Sequence, residues 1–290
     1  MTRPEAGELT WIFGSSRSGS TWLLRMLAEH PLVQPVDETG LGHHLGVWRP
    51  IPLAWATSEG EPPPLTTFAH IKAERPDYAF SDAYREGWEP LLRDFVLGRL
   101  GLQHEPGRRM VIKEPGGSQV ADWVLGLLPG SRLVFLLRDG RDVVDSWLDA
   151  YRPGGWHYEG DGGYPVSESG RLAFVRWQAA VWLFRTAAVQ RAYAQCAPDR
   201  RVIVRYEELL ADPEEQLRRI HAVIGLDANP DGIREAVARH AITEVSERGE
   251  GQFVRQAKPG GWRETLTAEE QEAVHAVLGP KLRELGYLSS

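Results

Sequence analysis

The amino-acid sequence predicts an α/β protein of three-layer, P-loop-like build, with a central parallel β-sheet flanked by helices on both faces. Three observations predict it. Apolar runs rich in β-branched and aromatic residues alternate with longer stretches of helical period. The first run passes through a Gly- and Ser-rich turn straight into a helical pattern, "IFGSSRSGSTWLLRML" at 12 to 27. Finally, 290 residues with 42% hydrophobic and 25% charged content can bury a substantial core as one soluble domain.

The strands are expected at "LTWIFG" (9 to 14), "RMVIK" (109 to 113), "SRLVFLL" (131 to 137) and "RRVIVRY" (200 to 206). Helices are expected after them, at 19 to 30, 118 to 128, 140 to 151 and 207 to 225. In the stretch 168 to 196, Leu172, Val175, Ala179, Trp182, Val189 and Tyr193 recur at three- and four-residue steps, the pattern of an amphipathic helix packed on the sheet. Residues 40 to 80 are dense in Pro, Gly and Trp and show no sustained period. Together with 153 to 167 and 244 to 261 they are expected to be irregular lid or acceptor-binding segments of a single domain, 1 to 290.

Composition excludes several classes. A formal charge of -7 argues against a nucleic-acid partner, so any anion site has to be a local cluster of Arg and Lys. Cys196 is the only cysteine, which rules out an internal disulfide framework or a multi-thiol metal site. The start "MTRPEAGELTW" lacks the pattern of a signal peptide, and no apolar run approaches a membrane span, so a cytoplasmic location is expected. Composition is silent on oligomeric state.

The first loop is where chemistry begins. A strand ending in Gly14 and Ser15, then a turn through Ser18 and Gly19 into a helix near Ser20, aims several backbone N–H groups at one point. That point lies at the positive end of the helix dipole and suits a phosphate or sulfate. Ser18, Ser20 and Thr21 add hydroxyls, and Arg17 adds a fixed charge with bidentate reach. The nucleotide-triphosphatase spelling fails here, because Gly19-Ser20-Thr21 stands where Gly-Lys-Ser/Thr is required. The strand 131 to 137 also runs into Arg138 rather than a metal-binding carboxylate, so the anion is expected to meet protein cations instead of magnesium.

Further cations sit at expected strand ends and in a late loop. Arg138 follows one buried strand and Ser146 lies two turns into the next helix, so both can face a second anion at the ligand edge of the sheet. Asp139 and Asp142 read as carboxylates complementing the helix start. Lys113 and Glu114 close another strand, and "FVRQAKPGGWRETLT" supplies Arg255, Lys258 and Arg263. The set describes a site for a mononucleotide with two separate anionic groups.

With these residues assembled, the chain resembles sulfotransferases that use 3′-phosphoadenosine 5′-phosphosulfate (PAPS), and is most similar to the branch of tyrosylprotein sulfotransferases and related bacterial enzymes. The resemblance implies that "SRSGSTW" holds the 5′-phosphosulfate, with Arg17 as cation, Ser18, Gly19, Ser20 and Thr21 as cradle and Trp22 beside them. Arg138 and Ser146, eight residues apart, match the 3′-phosphate pair, and Arg255 and Lys258 match its late-loop partners loosely. "RYEELLADP" makes Tyr206 the adenine contact. "VDETG" implies Glu38 as catalytic base, preceded by Asp37, and "IKEPG" implies Lys113 as a stabiliser of the transition state together with Arg17. Glu114 remains the alternative base.

The activity implied is in-line transfer of a sulfuryl group from PAPS to a hydroxyl of a small-molecule acceptor, aromatic or lipophilic, with the bisphosphate PAP as product and no metal. His43, His44 and Trp48 lie beside the expected base and are candidates for touching the acceptor. Two other readings stay open: a P-loop kinase of a small metabolite, which would need ATP and magnesium, and a nucleotide-binding protein without catalysis.

Overall fold

The computed structural model describes residues 3–44, 65–67, 70, 72–155, 157, 166–241 and 259–289. Five strands, β1 (Leu9–Phe13), β2 (Val33–Val36), β3 (Arg109–Lys113), β4 (Arg132–Leu137) and β5 (Arg201–Arg205), form one sheet in the order β2-β3-β1-β4-β5. Every pairing is parallel, with Ile12 level with both Lys113 and Val134. β1 is therefore central, and the loop that follows it leaves from the middle of the strand ends.

Parallel strands need cover on both faces, and the alternation of side chains supplies it. Ile12, Val111, Val134, Leu136, Val202 and Val204 share a buried cluster with Leu23, Leu27, Leu217, Ile220 and Ile233. Those partners come from helices α1 (Ser20–Leu27), α8 (Pro213–Ile224) and α9 (Pro230–Arg239). On the opposite face Trp11 and Phe13 stack at 5.6 Å, and Phe135 meets Tyr193 at 6.4 Å. The expected three-layer architecture is the one observed.

Between these lie α2 (Leu41–His44), α3 (Arg85–Gly101), a 3₁₀ turn at Pro115–Val120, α4 (Ala121–Leu127), α5 (Gly140–Ala150), α6 (Arg171–Gln195) and α7 (Tyr206–Ala211). The chain closes with α10 (Trp262–Thr265) and α11 (Ala268–Glu284). The expected helix at 207 to 225 is two helices, because Pro213 keeps Asp212 out of the helical region at φ -145° and ψ 76°. Asp212 then caps α8 by accepting from the Glu215 N–H. β2 has no counterpart in the sequence reading. It is four residues long and carries Pro35, which has no N–H to donate and is tolerated because β2 has only one neighbour.

The chain divides into two compact units. The sheet unit comprises Met1–Trp48, Thr66–Leu137 and Arg185–His240, and the second unit comprises Arg49–Leu65, Arg138–Phe184 and Ala241–Ser290. Among the described residues no helix is long and apolar enough to cross a membrane.

Candidate active site

In the sheet unit the loop after β1 is fixed from below. A side chain at Gly14 would run into the Leu136 carbonyl, so only glycine lets β1 turn away beside β4. Ser118 Oγ ties the turn down, donating to the Gly14 carbonyl at 2.6 Å and accepting from the Gly14 N–H at 2.9 Å. Arg17 and Gly19 both adopt positive φ, 71° and 86°, which winds the loop tightly into α1. A Cβ on Gly19 would lie 2.6 Å from the Tyr206 ring, so the loop rests on that ring.

No side chain caps α1, which leaves its first-turn N–H groups for a ligand. Ser18 is 1% exposed and its Oγ is a buried polar atom without a hydrogen-bond partner among the described residues. An orphaned hydroxyl inside an uncapped glycine loop fits an anionic oxygen. Trp22 is placed differently from a free ligand contact: its Nε1 donates to the His240 carbonyl at 2.8 Å and its ring meets Tyr206 edge-on at 6.5 Å.

Lys113 ends β3 next to this loop. It is 5% exposed, and its ammonium has one acceptor for each of three hydrogens. These are Asp37 Oδ1 at 2.6 Å, Glu38 Oε1 at 3.2 Å and Thr21 Oγ1 at 3.2 Å. Three residues singled out from separate stretches of sequence, Thr21, Glu38 and Lys113, thus meet at one nitrogen. Partial burial works to raise the Asp37 carboxyl, but hydrogen bonds from Lys113 and the Glu38 N–H, with the charges of Lys113 and Arg25, together outweigh it and hold the group below its ordinary value. Glu38 Oε2 lies over Gly116, where a Cβ would stand 3.0 Å from it.

One residue in this cluster, Arg185, was not assigned from the sequence, and Glu114 was expected there only as the alternative base. Arg185 on α6 is 4% exposed and reaches three segments: Gln119 Oε1 at 3.0 Å, Ser16 Oγ at 3.2 Å and the Gly116 carbonyl at 3.2 Å. Burial lowers its guanidinium to about 10, opposed by the charge of Glu38, so it remains a cation at neutral pH. Its signal was an arginine set among Val181, Trp182, Ala188 and Val189 on a face that periodicity assigns to the core. Glu114, 1% exposed, accepts from Thr39 rather than facing solvent, with the N–H at 2.7 Å and Oγ at 2.6 Å. Burial pushes its carboxyl up, the Thr39 hydrogen bonds pull it back, and the charge of Glu38 adds to the rise.

In the second unit Arg138 directly follows β4, and Ser146, 7% exposed, lies on α5. Asp139 caps α5 as expected, accepting from the Arg141 N–H at 2.9 Å, and also takes the Arg141 guanidinium at 2.7 Å. Asp142 does more than complement a dipole. Its two oxygens accept from the N–H groups of Gly260, at 2.8 Å, and Trp262, at 3.3 Å, and so anchor the end of the late glycine loop on α5. Arg255 and Lys258 precede that anchor in sequence and, with Trp48, lie outside the described residues. Of the two histidines, His44 is exposed at the end of α2, and the side chain of His43 is outside the described set.

A model described as the Sulfotransferase family matches residues 10–230. A protein-tyrosine sulfotransferase of Drosophila melanogaster is 27% identical over 218 residues, 73% of this chain and 37% of the relative. Protein-tyrosine sulfotransferase 2 of Gallus gallus is 24% identical over 224 residues, 75% of this chain and 51% of the relative. The chain thus spans between about a third and a half of the length of these two curated relatives. Among solved structures, a mouse sulfotransferase complexed with PAP superposes with a TM-score of 0.56 at 12% identity, covering 97% of this chain and 86% of that one. A sulfotransferase of Mycobacterium avium gives 0.53 at 18% identity, covering 97% and 76%. The solved structures share the fold.

Proposed function

The chain belongs to the Sulfotransferase family, and from that premise we propose that it transfers a sulfuryl group from PAPS to an acceptor hydroxyl, with Glu38 as base. The observation that carries this reading is the Lys113 ammonium, which joins Glu38 to Thr21 of the anion loop. A base and a phosphate-loop hydroxyl bonded to one buried cation are the parts that sulfuryl transfer needs side by side.

The residues divide the work. The loop N–H groups, Ser18 Oγ and Arg17 bind the 5′-phosphosulfate, and Ser18 in particular has a hydrogen bond left to make. Arg138 and Ser146 take the 3′-phosphate, and the Tyr206 ring, already seated beneath Gly19, takes the adenine side. When bound, PAPS supplies the sulfuryl group and departs as PAP, the ligand named with the mouse structure of the same fold.

Glu38 removes the acceptor proton, a role worth roughly 10²- to 10⁴-fold. Lys113 and Arg17 balance charge that grows on the transferring oxygens, as in phosphoryl transfer, where positioning and electrostatics supply most of the rate. Lys113 has to release one of its acceptors to do so. Asp37 is the one to release, because it is 74% exposed and water replaces the lysine on it at little cost.

For the acceptor, the names of the relatives support a protein tyrosine over the small-molecule alcohol expected from the aromatic loops. Both carry a hydroxyl, so Glu38 serves either. The test is incubation with ³⁵S-labelled PAPS and separate panels of tyrosine peptides, small phenols and lipid alcohols, with ATP and magnesium as the kinase control. Label on a peptide tyrosine is the expected result. Label on no acceptor, together with no calorimetric binding of PAP, overturns the proposal.

A further inference from the structure

Glu114 presents a choice between two roles, base or support. It follows Lys113 at the end of β3 and is almost wholly buried. Its Oε2 receives both donors of Thr39, the backbone N–H at 2.7 Å and the hydroxyl at 2.6 Å. Its other flank is closed by Gly117, where a Cβ would lie 2.9 Å from Glu114 Cγ and 3.0 Å from Oε1. An acceptor hydroxyl has no open lone pair to approach on Oε2, and Oε1, which accepts no hydrogen bond among the described residues, is buried against Gly117.

Thr39, by contrast, is the residue after Glu38, and a residue held at backbone and side chain fixes the peptide that carries its neighbour. Glu38 is itself more exposed, at 46% of its side chain, and contacts Lys113 at 3.2 Å, a length that tolerates little drift. Asp37 braces the same peptide from the other side, its Oδ1 accepting from the Glu38 N–H at 2.9 Å.

We propose that Glu114 is a positioning residue: by gripping Thr39 at both donors it holds Glu38 in register with Lys113 and the anion loop, and it takes no proton from the acceptor. The inference rests on the reading of Glu38 as base. A fixed carboxylate beneath the base keeps the reactive oxygen within reach of the acceptor, where an error of about 1 Å costs on the order of a hundredfold in rate.

The experiment uses the full chain, with hydrogen exchange at the Thr39 amide and steady-state kinetics read in parallel. In the wild type the Thr39 amide, which donates to Glu114 Oε2, is expected to be protected. Glu114→Gln keeps an oxygen that accepts from Thr39, so protection stays and turnover remains within about fivefold. Glu114→Ala loses the protection and lowers kcat by about tenfold or more, with PAP affinity unchanged. Should Glu114→Ala fail to fold, Thr39→Val removes the hydroxyl bond alone and is expected to lower kcat while keeping the donor KM.

Two results overturn the proposal. Thr39 exchanging at the same rate in wild type and Glu114→Ala removes the grip, whatever the activity. A loss of a hundredfold or more in Glu114→Gln with Thr39 still protected makes Glu114 the base. Failure of the underlying reading looks different, since full activity in Glu38→Gln would remove Glu38 from the chemistry while Thr39 protection still reports on the grip.

Discussion

Gly42 and Gly117 meet backbone against backbone: a Cβ on Gly42 would stand 2.5 Å from Gly117 Cα and 2.6 Å from its carbonyl oxygen. This approach presses α2 onto the 3₁₀ turn that follows Lys113 and Glu114, and α2 begins two residues after Thr39. The segment bearing Asp37 and Glu38 is therefore held to the end of β3 at its far side as well as through Lys113. Gly42→Ala forces the two backbones apart, since the Gly117 atoms it meets are backbone and cannot swing away. The expected outcome is about 1 to 3 kcal/mol of lost stability and a drop in turnover larger than the change in PAP affinity. Thermal unfolding and ³⁵S transfer measured on the same preparation check both.

Removal of the lysine separates binding from chemistry. Lys113→Ala takes away the only nitrogen that touches both Glu38 and Thr21 among the described residues, and leaves two carboxylates facing each other. Turnover at saturating donor is expected to fall by about 10²- to 10³-fold, the usual cost of one preorganised donor at a developing negative charge. Donor affinity should fall less than tenfold. Unchanged turnover at saturation would leave Lys113 as a structural cation only.

Asp37 gives a pH signature with a definite sign. Against partial burial, which raises it, the hydrogen bonds from Lys113 and the Glu38 N–H and the charge of Lys113 hold its folded carboxyl below the ordinary value. A carboxylate depressed in this way adds stability above its unfolded value, and the contribution is lost as pH falls through the folded one. Solvent screening at 74% exposure keeps the stake to a few tenths of a kcal/mol. Asp37→Asn is expected to be less stable than wild type by that amount at pH 7, and equal to it near pH 2, in urea titrations at both values.

The parts legible in the sequence were those whose pattern is local. Four strands were readable because their apolar runs are continuous, and Gly14, Ser18 and Gly19 because a strand-to-helix turn announces itself by residue type. β2 was not, since Pro35 breaks the strand signature and only its edge position excuses it. α3 carries Gly87, Pro90 and Gly98, which hide its period, and its helix rests on the packing of Val96, Leu97 and Leu100. α11 is a different case: Thr267 and Glu270 form a reciprocal capping box, a helix-start signal already present in "LTAEE". In the site, Glu38 and Lys113 came from motif resemblance. The jobs of Glu114 and Arg185 depend on partners 75 and 169 residues away, Thr39 and Ser16, and no spacing rule reaches that far.

On the proposed assignments, the glycine loop and the Arg138–Ser146 pair are expected to fail in the same way when altered, through donor affinity. Gly19→Ala places a methyl against the Tyr206 ring at a φ of 86° that L side chains seldom adopt. Arg138→Ala removes the charge proposed to hold the 3′-phosphate. A hydrogen bond to a charged group is worth about 1.5 to 3 kcal/mol, so the donor KM should rise by roughly ten- to a hundredfold with kcat nearly kept. If Arg138→Ala lowers kcat and leaves KM untouched, its assignment to the 3′-phosphate is wrong.

Away from the site, His221 on α8 is expected to cost the fold stability in acid. It is 5% exposed, packs edge-on against His30 at 5.3 Å, and neither ring nitrogen has a hydrogen-bond partner among the described residues. Burial, with a smaller push from the charge of His30, lowers its imidazole from 6.5 to about 4. The unfolded chain therefore binds a proton between those two values that the folded chain refuses, so stability falls as pH drops from 6.5 towards 4 and stays lost below. A shift of this size corresponds to at most about 3 kcal/mol. His221→Leu removes both the titration and two unsatisfied polar atoms, so the variant is expected to match or exceed wild type at pH 8 and to be clearly more stable at pH 5. Denaturant midpoints for the two proteins across that range decide it, and parallel curves would show that the acid loss comes from another group.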